Sequence, residues 1–214
     1  MSDRDLQELA DSGQLHKVHG GALSRSFRYS LQSAPVYHEQ EKQNIAQKGI
    51  SLIRDGMLAV LSGGTTILQM VKALPPDMQV TFMTISVPVA LELMNHPRCE
   101  VIFIGNRLNK NTKTAVGSEV VSALRGIKAD LCFLGTNSID ADAGITDSEW
   151  EIIDVKRAII AASERVVSLA ISEKLNTVQK FKVCGLDEID YLATELRPDS
   201  PLLERFAQTG IGIL

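Results

Sequence analysis

Met57-Leu58-Ala59-Val60-Leu61, followed at once by Ser62-Gly63-Gly64-Thr65-Thr66, is the stretch on which the fold turns. Five apolar residues without polar alternation describe a strand buried on both faces. The glycines end that strand. Helical spacing resumes after them and runs to Leu74, where Pro75-Pro76 stops it. Strand, glycine turn and helix in this order make half of a βαβ unit.

The same alternation extends outward in both directions. Residues 39–54 have helical periodicity, with Ile45, Ala46, Ile50 and Ile53 on one side. Further strands are expected at 79–85, 100–105, 129–135, 165–170 and 191–194. Between them helices are expected at 87–94, ending near 125, at 154–162, opening at 186–187, and at 200–209. This predicts an α/β fold, a doubly wound and mostly parallel sheet covered on both faces. The first residues follow another pattern. Arg4 to Gly13 reads as a short amphipathic helix, with Leu6, Leu9 and Ala10 on one face. QLHKVHGGAL then reads as a small β-ribbon turning at Gly20-Gly21, and 24–38 as a polar linker around Pro35. The expected division is therefore 1–23, a linker at 24–38, and a main domain at 39–214.

Composition bounds the function. The chain has 214 residues, 44% hydrophobic and 22% charged, with a formal net charge of −4. A chain of this length buries roughly 70% of its unfolded surface, so it needs no disulfide or metal to hold its core. With a pI near 5.6 it is not basic enough to coat nucleic acid along its length. Three widely spaced cysteines form no CxxC and no zinc spacing, and Cys132 and Cys184 read as buried free thiols. No secretory signal opens the chain, and its apolar runs fall far short of about 20 residues, so a cytoplasmic location without membrane contact is expected.

The Gly-Thr turn is the leading candidate site. In open α/β sheets ligands bind at the carboxyl ends of the strands. Gly63 and Gly64 permit close backbone approach. The first turn of the following helix offers free N–H groups to an anion, with hydroxyls from Ser62, Thr65 and Thr66. The alternative is a plain glycine turn with Thr65 or Thr66 capping the helix. No lysine follows in P-loop spacing. Other polar residues fall at the same edge: Thr84 and Ser86, Gly105 and Arg107, Gly135 and Asp140. Lys156 and Lys174 could each complete a phosphate site, although each alone also reads as a solvated lysine. His16, His19, His38 and His96 lie away from the strand-end loops, and paired carboxylates near the turn are missing. No catalytic set, metal site or cofactor is expected.

Several segments, in order, resemble the DeoR family of bacterial transcriptional repressors of sugar metabolism. RDLQELADSGQLHKVHGGA resembles the end of that family's winged helix-turn-helix, and EKQNIAQKGISLIRDG the helix opening its sensor domain. SGGTT, GNRL, FLGTNSID, GITD, DVKRAII and SEKL follow in the family's order. The resemblance implies an operator-binding module and a sensor domain of ribose-phosphate-isomerase-like fold. The effector would be a phosphorylated sugar or related metabolite, and the protein a homodimer or homotetramer. The site residues so implied are Ser62, Gly63, Gly64, Thr65, Thr66, Thr84, Ser86, Gly105, Arg107, Gly135, Asp140, Thr146, Lys156 and Lys174. Arg4, Lys17 and His19 would belong to the DNA-binding module, whose end alone is expected within 1–23. Operator binding is then expected only with the complete module.

Four positions depart from the family's pattern: Ser62 and Ile171 where Asp is usual, Ile85 where Asn is usual, and Asn106 where Gly is usual. An isoleucine removes a polar partner, which implies a kept phosphate subsite and a changed sugar subsite. Two other readings remain at this point. One is an aldose–ketose phosphate isomerase on the related fold, for which Asp140 and Glu149 are the remaining carboxylates. The other is an oligomerisation domain without a ligand.

Overall fold

A computed structural model describes residues 37–214 and, before them, the backbone of two strands, β1 (Leu15–Val18) and β2 (Gly21–Ser24). The chain divides into two compact units, residues 1–39 and 40–214, described separately. In the first, β1 and β2 pair antiparallel with Val18 opposite Gly21, as the ribbon reading requires. The expected helix at Arg4 to Gly13, Arg4 and His19 themselves, and positions 25–36 of the linker lie outside the described residues. Lys17 is described only as β1 backbone.

The main unit opens with α1 (Glu39–Ile50), followed by β3 (Leu58–Leu61), α2 (Thr65–Lys72), β4 (Thr81–Thr84), α3 (Val87–Leu93) and β5 (Glu100–Phe103). A hairpin of β6 (Arg107–Asn109) and β7 (Thr114–Val116) leads to α4 (Ser118–Leu124) and β8 (Leu131–Gly135). Then come β9 (Ser138–Asp140), β10 (Gly144–Asp147), α5 (Trp150–Ala161), β11 (Val166–Leu169) and β12 (Phe181–Cys184). The chain ends with β13 (Tyr191–Ala193), α6 (Glu204–Ala207) and β14 (Gly212–Ile213).

Seven strands form one sheet in the order β14-β13-β11-β8-β3-β4-β5, and every neighbouring pair is parallel. The chain enters at β3, works outward to β5, crosses back to β8 on the other side of β3, and works outward again. Strand order therefore reverses between β3 and β8. That is the topological switch point, where α/β sheets open a crevice at the carboxyl ends.

Both faces are covered. Val60, Met83, Cys132 and Leu134 pack in one core with Val120 and Leu124 of α4 and Ile152 and Ile159 of α5. On the other face α1 lies so close that a Cβ at Gly49 would sit 3.1 Å from the Met70 sulfur and 3.3 Å from the Phe133 ring. Aliphatic strands buried on both sides are the reason the continuous apolar runs are needed, each fully buried Leu, Ile or Val contributing roughly 1.5–3 kcal/mol. Burial pushes the Cys132 and Cys184 thiols up to about 12, which leaves them inert.

The long strands and helices fall where periodicity puts them. Six short strands do not: β6, β7, β9, β10, β12 and β14 had no counterpart in the periodicity. The first five form an antiparallel hairpin and a three-stranded sheet in the order β12-β10-β9, both outside the main sheet, and β14 is the last strand of the main sheet. Helix α5 also begins at Trp150, ahead of the expected 154. Among the described residues no helix is long and apolar enough to cross a membrane.

Candidate functional site

At the switch point the backbones of the β3 and β8 ends nearly touch. Ser62 N–H donates to Phe133 O at 3.0 Å, and Gly135 N–H donates to the Ser62 hydroxyl at 2.8 Å. A Cβ at Gly135 would collide with the Gly63 carbonyl oxygen, and one at Gly63 would lie 2.6 Å from Thr114 Cγ2. Glycine stands at both positions because only its missing side chain allows three loops to converge.

Gly64 follows at φ 121°, a conformation side-chain-bearing residues avoid, and serves as N-cap of α2. Among the described residues no side chain caps this helix, and its first backbone bond runs from Leu68 N–H to Gly64 O. The N–H groups of Thr65, Thr66 and Ile67 therefore have no partner within the helix. Of the two readings of SGGTT, the threonine cap is absent and the open helix N-terminus is present. Together with the helix dipole, this leaves a partly positive helix end at the mouth of the crevice.

Two lysines meet at the end of β8, with a third, Lys42 of α1, within electrostatic reach of Lys174. Lys156 Nζ donates to Gly135 O at 2.9 Å and pairs with the buried Asp147 carboxylate at 2.7 Å. Burial alone would raise the Asp147 carboxyl. The adjacent Lys156 ammonium and hydrogen bonds from Glu149 N–H and Asn137 outweigh that and hold it below the usual carboxylate range. Lys174 Nζ donates to the next carbonyl, Thr136 O, at 2.8 Å. Burial, reinforced by the nearby charges of Lys42 and Lys156, lowers Lys174 to about 8. Burial likewise lowers Lys42 to about 8. Nearby carboxylates, Asp147 and Glu173 at Lys174 and Glu41 and Glu173 at Lys42, act in the opposite sense, and burial outweighs them.

The structure brings together Ser62, Gly63, Gly64, Thr65, Thr66, Gly135, Lys156 and Lys174. Thr84 and Ser86 join from the next strand end. The Thr84 hydroxyl donates to Leu61 O at 2.9 Å and accepts from Ser86 N–H. Gly105, Arg107, Asp140 and Thr146 are otherwise engaged. Gly105 is exposed at the end of β5, and Arg107 pairs with Glu151 of α5 at 2.6 Å. Asp140 accepts from the Asp142 and Ala143 N–H groups and pairs with Arg205. The Ala143 bond and its companions hold its carboxyl low despite partial burial. The Thr146 hydroxyl accepts from Gln179 N–H at 2.7 Å, tying β10 to the loop before β12. Ile85 and Ile171 are both wholly buried, so these substitutions add packing beneath the surface.

Lys42, Thr136, Asn137 and Asp147 were missed. Lys42 carried a readable signal: it sits three, four and seven residues before Ile45, Ala46 and Gly49, on the apolar stripe of α1. A lysine there is out of place in a helix that only packs. Asp147 gave no such signal, because its partner lies nine residues along and across a turn. Among the described residues no buried side-chain nitrogen or oxygen lacks a partner, and no group of three or more His, Cys, Asp or Glu could hold a metal. A cavity of about 890 Å³ opens elsewhere, between α4 and α5, beside Val121, Arg125, Trp150 and Ala158. Of the expected ligand residues only Arg107 lines it.

Known proteins share this chain's sequence and fold. It is 29% identical over 217 residues to the HTH-type transcriptional regulator GlpR of Haloferax volcanii, covering 99% of this chain and 84% of that protein. Identity is 28% to the HTH-type transcriptional repressor GlcR of Bacillus subtilis, over 99% of this chain and 82% of that protein. Among solved structures, eIF2B beta from Chaetomium thermophilum aligns with a TM-score of 0.56 at 13% identity, over 79% of this chain and 53% of that one. The delta subunit from the same organism aligns at 0.52 and 18%, over 75% of this chain and 57% of that one. The likeness to these structures is one of fold, and this chain spans little more than half their length. The curated relatives are transcriptional regulators, which favours a sensor over the isomerase reading. The family profile described as DeoR C terminal sensor domain matches residues 37–196, and the chain belongs to the DeoR family.

Proposed function

We propose that the main domain senses a phosphorylated sugar or a similar small phosphorylated metabolite at the β3/β8 crevice. In this reading the phosphoryl group sits on the N–H groups of Thr65, Thr66 and Ile67, against Gly63 and Gly64. Lys174 and Lys42 supply counter-charge, while Lys156 stays on Asp147 and holds the Gly135 carbonyl in place. Binding there alters the affinity of the regulator for operator DNA, which a complete winged helix-turn-helix contacts with residues of the Arg4, Lys17 and His19 segment. The observation that carries the reading is the uncapped N-terminus of α2 at the switch point, beside lysines that burial has weakened as bases.

Calorimetric titration tests it. Hexose and pentose phosphates are titrated alongside inorganic phosphate and the unphosphorylated sugars. At least one sugar phosphate should bind, its parent sugar should not, and Lys174→Met should weaken binding by roughly tenfold or more, the loss of one charge-assisted contact. Equal binding of sugar and sugar phosphate, or indifference to Lys174→Met, would overturn it.

A further inference from the structure

We infer that the outer edge of the sheet, strand β5, pairs antiparallel with the same strand of a second copy about a two-fold axis. This inference stands independently of the effector reading.

An edge strand offers unpaired backbone groups, and proteins that stay monomeric blunt it with charge, proline or a bulge. Here β5 carries a single charge, Glu100 at its start, and Val101-Ile102-Phe103 run on into Ile104 without a further charge, a proline or a bulge. Ile102 is 38% exposed and Phe103 43%. The direction of the free groups follows from the inner ladder. Glu100 N–H donates to Val80 O and Ile104 N–H to Thr84 O, so even-numbered residues bond β4. Val101 and Phe103 therefore aim their N–H and C=O groups outward. Two outward-facing residues, two positions apart, are what an antiparallel pairing with an identical strand uses. With Val101 opposite Phe103 of the second copy, both residues exchange both bonds, four in all. Ile102 then faces its own counterpart across the axis, and Glu100 faces Ile104. No like charges meet.

The flanks extend the surface. β7 bridges to the continuation of β4 at Ser86–Thr114, and β6 lies outside β7, so the hairpin prolongs the same edge and presents Leu108. On α3, which packs on the adjoining strands, Leu91 and Met94 are 60% and 72% exposed, three residues apart on one helix face. These five apolar side chains expose on the order of 500 Å² per copy, so a symmetric pair covers about 1,000 Å², the lower end for a specific interface. An isologous contact of this kind closes as a dimer.

Sedimentation velocity on the full chain is the test. The wild-type protein should sediment as a dimer. Ile102→Glu should weaken association by roughly tenfold or more, because it sets two carboxylates directly opposite each other. An equimolar mixture of Ile102→Glu and Ile102→Lys chains should regain the dimer. Circular dichroism confirms that each variant is folded, and Phe103→Ser is the second variant if Ile102→Glu does not fold. A monomeric wild type overturns the inference, whatever extended peptide its edge then accepts. So does a dimer indifferent to Ile102→Glu or Phe103→Ser, or a charge-swapped mixture that stays monomeric.

Discussion

At the centre of the sheet polar groups are buried, whereas at its outer edge apolar groups are exposed. Ser62, Thr84, Ser86, Thr136, Asp147 and Lys156 lie out of water around the gap between β3 and β8, while Ile102 and Phe103 face it on β5. Both regions break the usual partition, and they break it with opposite energetics. A buried polar network is stable only when complete, since each member desolvates at a cost that its partner offsets. A half-exposed isoleucine costs the monomer little, and in the proposed dimer it is the side chain that pairing covers. The centre is therefore a place where substitution threatens the fold, and the edge is where substitution threatens assembly.

The largest expected effect tests the first half of that contrast. Asp147→Ala leaves the Lys156 ammonium buried beside Gly135 O without its counter-ion, and should cost about 3–5 kcal/mol in chemical denaturation. The double variant Asp147→Leu, Lys156→Met should recover much of this, since packed apolar groups replace a buried pair at little cost. A double variant no more stable than Asp147→Ala would mean that the network is held by something other than the pair. Next in size is Gly135→Ala. The added methyl runs into the Gly63 carbonyl, and overpacking of this kind costs about 1–3 kcal/mol. Because the strain falls on the crevice itself, effector binding should be lost along with stability.

The same two regions were unequally legible in the sequence. The sheet was readable because Met57–Leu61 and its counterparts are continuous aliphatic runs, and few other arrangements bury them. SGGTT was readable as a strand-end turn, but not whether one of its threonines caps the helix. That depended on the φ of Gly64 and the absence of a cap, which are facts of conformation. β9 and β10 were hidden because Asp140 forms a turn with Asp142 and Ala143 N–H, so the segment reads as a turn and is one, between two very short strands. The β5 edge was invisible for another reason. Periodicity identifies a buried strand without saying which strand ends up outermost, and only the order β14-β13-β11-β8-β3-β4-β5 does so.

A smaller effect sharpens the centre as a charge-dependent site. Lys42 and Lys174 are lowered to about 8 from 10.5, so between those values the unfolded chain holds more protons than the folded one. Their contribution to stability therefore rises as pH climbs from about 8 towards 10.5, where relief of two poorly solvated charges is complete. Effector affinity runs the other way. An anion favours the protonated lysines, so binding should weaken above pH 8, by up to about tenfold per pH unit for each lysine that must take up a proton. Titration at pH 8.5 in buffers of different ionisation enthalpy should report proton uptake on binding. Proton release, or an affinity flat from pH 7 to 9, would remove the lysines from the site.

The smallest expected effect belongs to the edge, and its smallness is the point. Ile102→Glu alters a side chain already 38% exposed and leaves the β4–β5 ladder intact, so the monomer's stability should change by no more than about 0.5 kcal/mol. What should change is the dependence of melting temperature on protein concentration. A folded dimer draws the unfolding equilibrium towards the native state by mass action, so the wild-type melting temperature should rise with concentration. In Ile102→Glu it should become flat, converging with wild type at high dilution. If both chains melt at the same temperature at every concentration, the exposed apolar edge contributes nothing to association, and the contrast between centre and edge reduces to burial alone.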